Sequence, residues 1–191
     1  MDRIIADLDG KHTSGGTFVA LMKHIKATKG TSGEQAMFRL LRKHGYRGPM
    51  SLDDFKLKKW YPLKDYIIFL DTIDKEFGPD VLFEMSRSAP KREGVVGWFV
   101  KWAISPERIT GLAGDYVKNF YDYCEFNGET VSRTCSRLTS HDMCAADVLC
   151  RAHTAYYLGT IETTGARNVK CVHDKCELDG HDRGIWTITW D

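Results

Sequence analysis

Apolar positions over the first two thirds of the chain recur at helical spacing. In residues 17–29 they fall at 18, 21, 22 and 25, predicting a helix that Gly30 stops. Ser32 then leads into a second helical stretch, with Met37, Phe38, Leu40 and Leu41 on one side and Gly45 at its end. Ser51 before Leu-Asp-Asp reads as the start of a short helical turn over 51–57. Pro62 suits the first turn of a new helix, where its missing N–H would be unpaired anyway. Residues 63–77 follow with apolar positions at 63, 66, 67, 70, 73 and 77, closed by Gly78. Stretches 79–88 and 93–103 read as helices split at Ala89-Pro90, and Pro106 opens another that runs to about Tyr121.

The pattern then changes period. Residues 123–138 alternate around Asn127-Gly128, which predicts a hairpin turning there. Ser140 reads as the cap of a helix over 141–164, stopped by Gly165. Residues 167–173 and 184–190 alternate again, with a loop between them. The predicted fold class is α+β: N-terminal helices packed on a four-stranded antiparallel sheet, made of two hairpins separated by a long helix. Residues 1–191 read as one domain, with 1–14 as a flexible N-terminal segment.

Composition narrows the function. Of the 191 residues, 42% are hydrophobic and 28% charged, which excludes a disordered chain, a collagen-like repeat and a coiled coil. The net charge of +1 supplies no basic field for nucleic acid. No run approaches the roughly 18 apolar residues of a spanning helix. The first residues carry no apolar run of signal-peptide length, so the expected compartment is the cytoplasm. The six cysteines, at 124, 135, 144, 150, 171 and 176, lack the dense spacing of secreted scaffolds and read as reduced thiols.

Candidate chemistry concentrates near the C-terminus. Cys171, His173, Cys176 and His181 fall close together, and Cys150 lies upstream on the preceding predicted helix. Thiolates and imidazoles suit zinc, yet the spacing matches no standard finger, and on spacing alone buried cysteines beside solvated histidines are the better reading. On the predicted helix Cys150 and His153 share a face. His153 could ligate a haem; the absence of CxxCH excludes covalent c-type attachment. No nucleophile elbow, P-loop, dinucleotide fingerprint or zincin motif occurs, so no catalytic residue is assigned and the protein is expected not to be an enzyme. Cys150 with His153 is the one local pair worth testing for catalysis. The aromatic residues, 12% of the chain, read either as core packing or as the lining of an apolar pocket.

Two segments resemble a known family. They are Trp60-Tyr61-Pro62-Leu63 with the following DYIIFLDTIDKEFG, and the tail containing Cys150, Tyr157-Leu158-Gly159, Gly165 to Val169, Cys176, Gly180 and Trp186 to Trp190. Together they resemble a myxobacterial-type subfamily of the 4-vinyl reductase-type ligand-binding domain. Its wider superfamily includes haem nitric-oxide sensors and TRAPP transport subunits. The resemblance implies a sensory or regulatory domain, often a homodimer, that holds a small hydrophobic or aromatic ligand between helices and sheet and signals through a protein partner. Trp60, Tyr61, Tyr66, Trp98, Trp102 and Tyr121 are the candidate lining residues. The family's zinc pattern maps its first cysteine to Cys150 and its second to Cys176. His173 stands at its acidic position and Gly184 at its third cysteine; His181 is the nearest substitute. The haem sensors' Tyr-x-Ser-x-Arg signature is absent, which makes haem the lesser cofactor candidate. The contrasting expectation is an interaction scaffold with a vestigial pocket. A sensor predicts a cavity on the order of several hundred Å³; a scaffold predicts a filled core and an exposed apolar patch.

Overall fold

The computed structural model describes residues 7–92 and 105–191. β1 (His12–Ser14) pairs antiparallel with β2 (Trp60–Pro62), Thr13 facing Tyr61. His12–Ser14 were expected within a flexible segment, yet Thr13 is fully buried. Its hydroxyl donates to the Phe120 carbonyl at 2.9 Å, which ties the strand down. α1 (Gly15–Lys43) breaks at Gly30, whose φ of 68° and ψ of −170° leave the helical region. A glycine takes that conformation without the Cβ clash other residues meet. Ser51 accepts the Asp53 N–H and starts a short turn at Leu52–Asp54.

α2 (Leu63–Phe77) has the bounds its periodicity predicts, because its apolar stripe is continuous and Gly78 at φ 93° ends it. α3 (Pro79–Arg92) runs through Pro90, where the sequence predicted a split. The missing N–H of Pro90 removes one hydrogen bond near the helix end, which is tolerable there. The helix expected over 93–103 lies outside the described residues. The helix expected from Pro106 to Tyr121 is two short ones, α4 (Pro106–Gly111) and α5 (Ala113–Val117).

The predicted hairpin exists, but its turn is elsewhere. β3 (Glu125–Ser132) runs straight through Asn127-Gly128 and pairs with β4 (Cys135–His141) around a two-residue turn at Arg133-Thr134. Gly128 serves packing instead. A Cβ there would sit 2.0 Å from the Thr110 carbonyl oxygen, and one on Gly114 would sit 2.5 Å from that of Phe126. Two bare backbones thus let α4 and α5 rest directly on β3, the close approach that a glycine inside a strand marks.

β4 pairs with β6 (Gly184–Thr189), and β6 with β5 (Lys170–Lys175), giving the antiparallel order β3-β4-β6-β5. Helices pack against this four-stranded sheet, as the α+β reading expected. Leu138, Trp186 and Ile188 are buried on its inner face. α6 (Asp147–Glu162) begins later than expected. Ser140 caps nothing: it belongs to β4, opposite Gly184, and Asp142 then reverses the chain at φ 64°. Among the described residues no helix is long and apolar enough to cross a membrane.

α6 meets α3 closely at Gly159, where a Cβ would lie 1.8 Å from the Arg87 carbonyl oxygen. The Arg87–Glu162 ion pair and Lys91 fasten the same crossing. Gly159→Ala should therefore push the helices apart at a cost of about 1–3 kcal/mol. Urea unfolding measures this as a lower midpoint; an unchanged midpoint would show that the crossing relaxes freely.

Candidate functional site

α6 carries two chemically distinct groups at different heights. Its lower face, with His153, Tyr156 and Tyr157, helps to line a cavity of about 110 Å³. Leu21 and Tyr66 enclose it from α1 and α2, Tyr116 from α5, and Phe126 and Ile188 from the sheet. The wall exposes mainly apolar atoms, though nine of its described residues carry a hydroxyl and His153 adds an imidazole. Tyr121 hydroxyl and His153 Nε2 are 2.9 Å apart, while His153 Nδ1 and the Tyr157 hydroxyl are buried without a hydrogen-bond partner. Such atoms are costly to bury unpaired, by about 1–3 kcal/mol each. Burial pushes the His153 pKa down to about 3 and raises that of the Tyr157 hydroxyl, so both are neutral near pH 7.

The second group surrounds the start of α6. The Sγ atoms of Cys144, Cys150 and Cys176, all buried, lie within 4.8 Å of one another, with Cys150 and Cys176 3.9 Å apart. His173 Nε2 is 3.7 Å from Cys144 Sγ. Its ring lies flat on Trp186, 4.1 Å between centroids and 1° from parallel. Glu177 accepts the backbone N–H of Cys144 at 2.9 Å and of Gly184 at 3.2 Å, which clamps the 143–146 run to the start of β6. The Cys150 thiol lowers the Cys176 pKa to about 6 by hydrogen bonding, while its own is pushed up by Cys144 and Cys176. The thiolate is the form of cysteine that a soft metal ion recruits.

The expected residues divide between these groups and the rest of the fold. Tyr66 and Tyr121 line the cavity. Trp60 is 41% exposed and not part of the wall. Tyr61 packs in the core against Phe18 and Phe55, and its hydroxyl accepts the Lys56 N–H. Trp98 and Trp102 lie outside the described residues. Of the metal candidates, Cys150 and Cys176 come together, His173 approaches through Cys144, and His181 is exposed and outside the thiol group. The Cys150–His153 pair does not meet: one thiol faces Cys176, the imidazole faces Tyr121. Cys144 was missed because the predicted helix over 141–164 contained it. Six residues apart on one helix, Cys144 and Cys150 would point in different directions. Tyr157 carried no signal beyond being aromatic.

No family model matches the chain, and no curated protein matches it. Solved structures do. The chain is similar to an H-NOX domain from Shewanella oneidensis in an Fe(II)CO state, at 16% identity and TM-score 0.70, covering 93% of this chain and 98% of that one. A mutant H-NOX protein from S. oneidensis in the Fe(II) state matches at 15% and 0.69, covering 93% and 96%. An Fe(II) unliganded H-NOX protein from K. algicida matches at 10% and 0.65, with the same coverage. The fold is therefore that of the H-NOX domains. The narrower 4-vinyl reductase-type resemblance rests on its sequence segments alone.

A haem does not fit the described cavity residues. A volume of about 110 Å³ is well below the roughly 300–1,000 Å³ of pockets that take drug-sized ligands. Among the described residues the lining includes no lysine or arginine to pair with carboxylates. Its imidazole, His153, spends Nε2 on Tyr121 and is stacked on Tyr157.

His153 also predicts a pH dependence. Its folded pKa of about 3 lies below the value of about 6.5 expected when unfolded, so the unfolded chain binds the extra proton between them. Stability is complete above about pH 6.5 and falls as pH drops toward 3, by up to about 1.4 kcal/mol per unit. Urea titrations from pH 7 to 4 should show this slope in the wild type and a shallower one in His153→Gln. Equal slopes would assign the effect to other groups.

Proposed function

We propose that the protein is a non-enzymatic sensory or regulatory domain that binds a small apolar molecule in the α6 cavity. The observation that carries this reading is an apolar cavity holding two buried polar atoms with no partner, His153 Nδ1 and Tyr157 hydroxyl. Protein interiors pair such atoms, so a ligand bearing one hydroxyl or carbonyl complements them. The volume limits the ligand to about one ring, since an engineered cavity of about 150 Å³ holds benzene. Zinc at the thiol group, a homodimer and a protein partner complete the proposal. The thiol triad supports the first; the family resemblance motivates the other two.

One observation favours a scaffold with a vestigial pocket. The cavity is smaller than the several hundred Å³ expected of a sensor. Thermal unfolding with benzene, phenol and cyclohexanol separates the readings. A specific probe at 100 times its Kd should stabilise the wild type by about 2.7 kcal/mol. Ala152→Leu, which fills the cavity, should abolish the response. Tyr157→Phe should weaken phenol more than benzene. No shift with any probe would favour the scaffold.

A further inference from the structure

We infer that Cys144, Cys150, Cys176 and His173 form a tetrahedral zinc site, in which Cys144 supplies the donor that the family pattern places at residue 184. The inference extends the proposal that the thiol group binds zinc, and concerns which atoms of this chain do so.

The three sulfurs lie within 4.8 Å of one another, His173 reaches them through Cys144, and two edges match a zinc polyhedron. Zinc lies about 2.3 Å from a thiolate sulfur and about 2.0–2.1 Å from an imidazole nitrogen. Neighbouring corners of such a tetrahedron are then separated by about 3.8 Å for two sulfurs and about 3.6 Å for sulfur and nitrogen. Cys150 and Cys176 stand 3.9 Å apart, and Cys144 and His173 3.7 Å apart. The two opposite edges of the polyhedron are thus already near their bonded lengths.

Gly184 explains the exchange. It begins β6 beside the thiol group, and an ideal Cβ built on it falls 2.8 Å from Cys144 Sγ. The sulfur of Cys144 occupies the volume that a side chain at 184 would enter, so the two donors are alternatives for one place. Ser140 Oγ, 2.6 Å from the same Cβ, further closes that place to a residue larger than glycine. The backbone holds Cys144 there. Asp142 turns the chain at φ 64°, and Glu177 receives the N–H groups of both Cys144 and Gly184. One carboxylate therefore fixes the new donor against the strand that lacks the old one. His181, the nearer substitute in sequence, is exposed on the loop before β6.

The test uses the full chain, stripped with chelator and titrated with Zn²⁺ and Co²⁺. The expected wild-type result is one metal per chain and a cobalt spectrum whose sulfur-to-metal absorption corresponds to three thiolates. Removing a group that only hydrogen-bonds to a metal ligand costs about 10–100-fold in metal affinity, so losing a direct donor should cost more than about 100-fold. Cys144→Ala should show that loss and a two-thiolate cobalt spectrum, whereas His181→Ala should leave both unchanged. Moving the donor, as C144A/G184C with S140A to make room, should recover affinity and the three-thiolate spectrum while circular dichroism remains native. A wild type that binds no zinc would overturn the reading of the thiol group as a metal site. A wild type that binds zinc with two thiolates, or a Cys144→Ala protein that binds as tightly, would overturn the assignment of Cys144 alone. A folded triple variant no tighter than Cys144→Ala would overturn the spatial exchange.

Discussion

Burial of Trp186 between the sheet and α6 holds the functional end of the molecule together. The indole is fully buried, donates its N–H to the Thr154 hydroxyl at 3.0 Å, meets Tyr157 edge-on at 5.4 Å and stacks on His173 at 4.1 Å. A Trp interior contributes a large apolar area and needs a partner for its N–H, and both requirements are met here. Tyr157 belongs to the cavity wall and His173 to the thiol group. The rotation and height of α6 over β6 follow from this one side chain, and so do the positions of both groups.

The cavity and the thiol group differ in kind. The cavity wall is apolar, and its polar atoms are neutral because desolvation penalises their charged forms. The thiol group gathers sulfur and nitrogen donors around a carboxylate that clamps the backbone. The first arrangement suits a neutral molecule with one polar handle; the second suits a soft cation. In this chain both lie beside one helix, α6, which supplies Cys150 to the thiol group and His153, Tyr156 and Tyr157 to the cavity. The chain's likeness to Fe(II) proteins extends to the fold, whereas the described cavity residues leave neither volume nor counter-charge for a haem. Tyrosines and His153 occupy the space between α6 and the sheet.

Glycines set how closely the layers approach. Gly128 and Gly114 let α4 and α5 lie against β3, and Gly159 lets α6 lie against the backbone of α3. These contacts leave the cavity about the size of a single ring. Gly184 plays the same part at the thiol group, where the missing side chain makes room for a sulfur from another segment.

Local patterning was enough to read the elements whose boundaries are local. The apolar stripe of residues 63–77 and the stop at Gly78 define α2 without help from the rest of the chain, and Gly30 marks the break in α1. The alternation after Tyr121 establishes the strands and the α+β class, since a period of two has no other stable use on a half-buried sheet. Asn127-Gly128 misled, because a glycine demanded by a neighbouring helix looks the same in sequence as one demanded by a turn. The start of α6 was misplaced for a related reason: Ser140 resembles a cap, and only pairing with Gly184 shows it to be a strand residue. The site suffered most from this. Cys150 and Cys176 were legible as candidate donors and Tyr66 and Tyr121 as cavity residues, but Cys144 was hidden inside a helix that does not begin there. The sequence by itself determined which residue types were at hand and which segments curl or extend, because those depend on neighbours a few positions away. Which thiols meet, which tyrosines face the cavity and how large that cavity is were decided by the tertiary structure, because they depend on contacts between segments far apart in the chain.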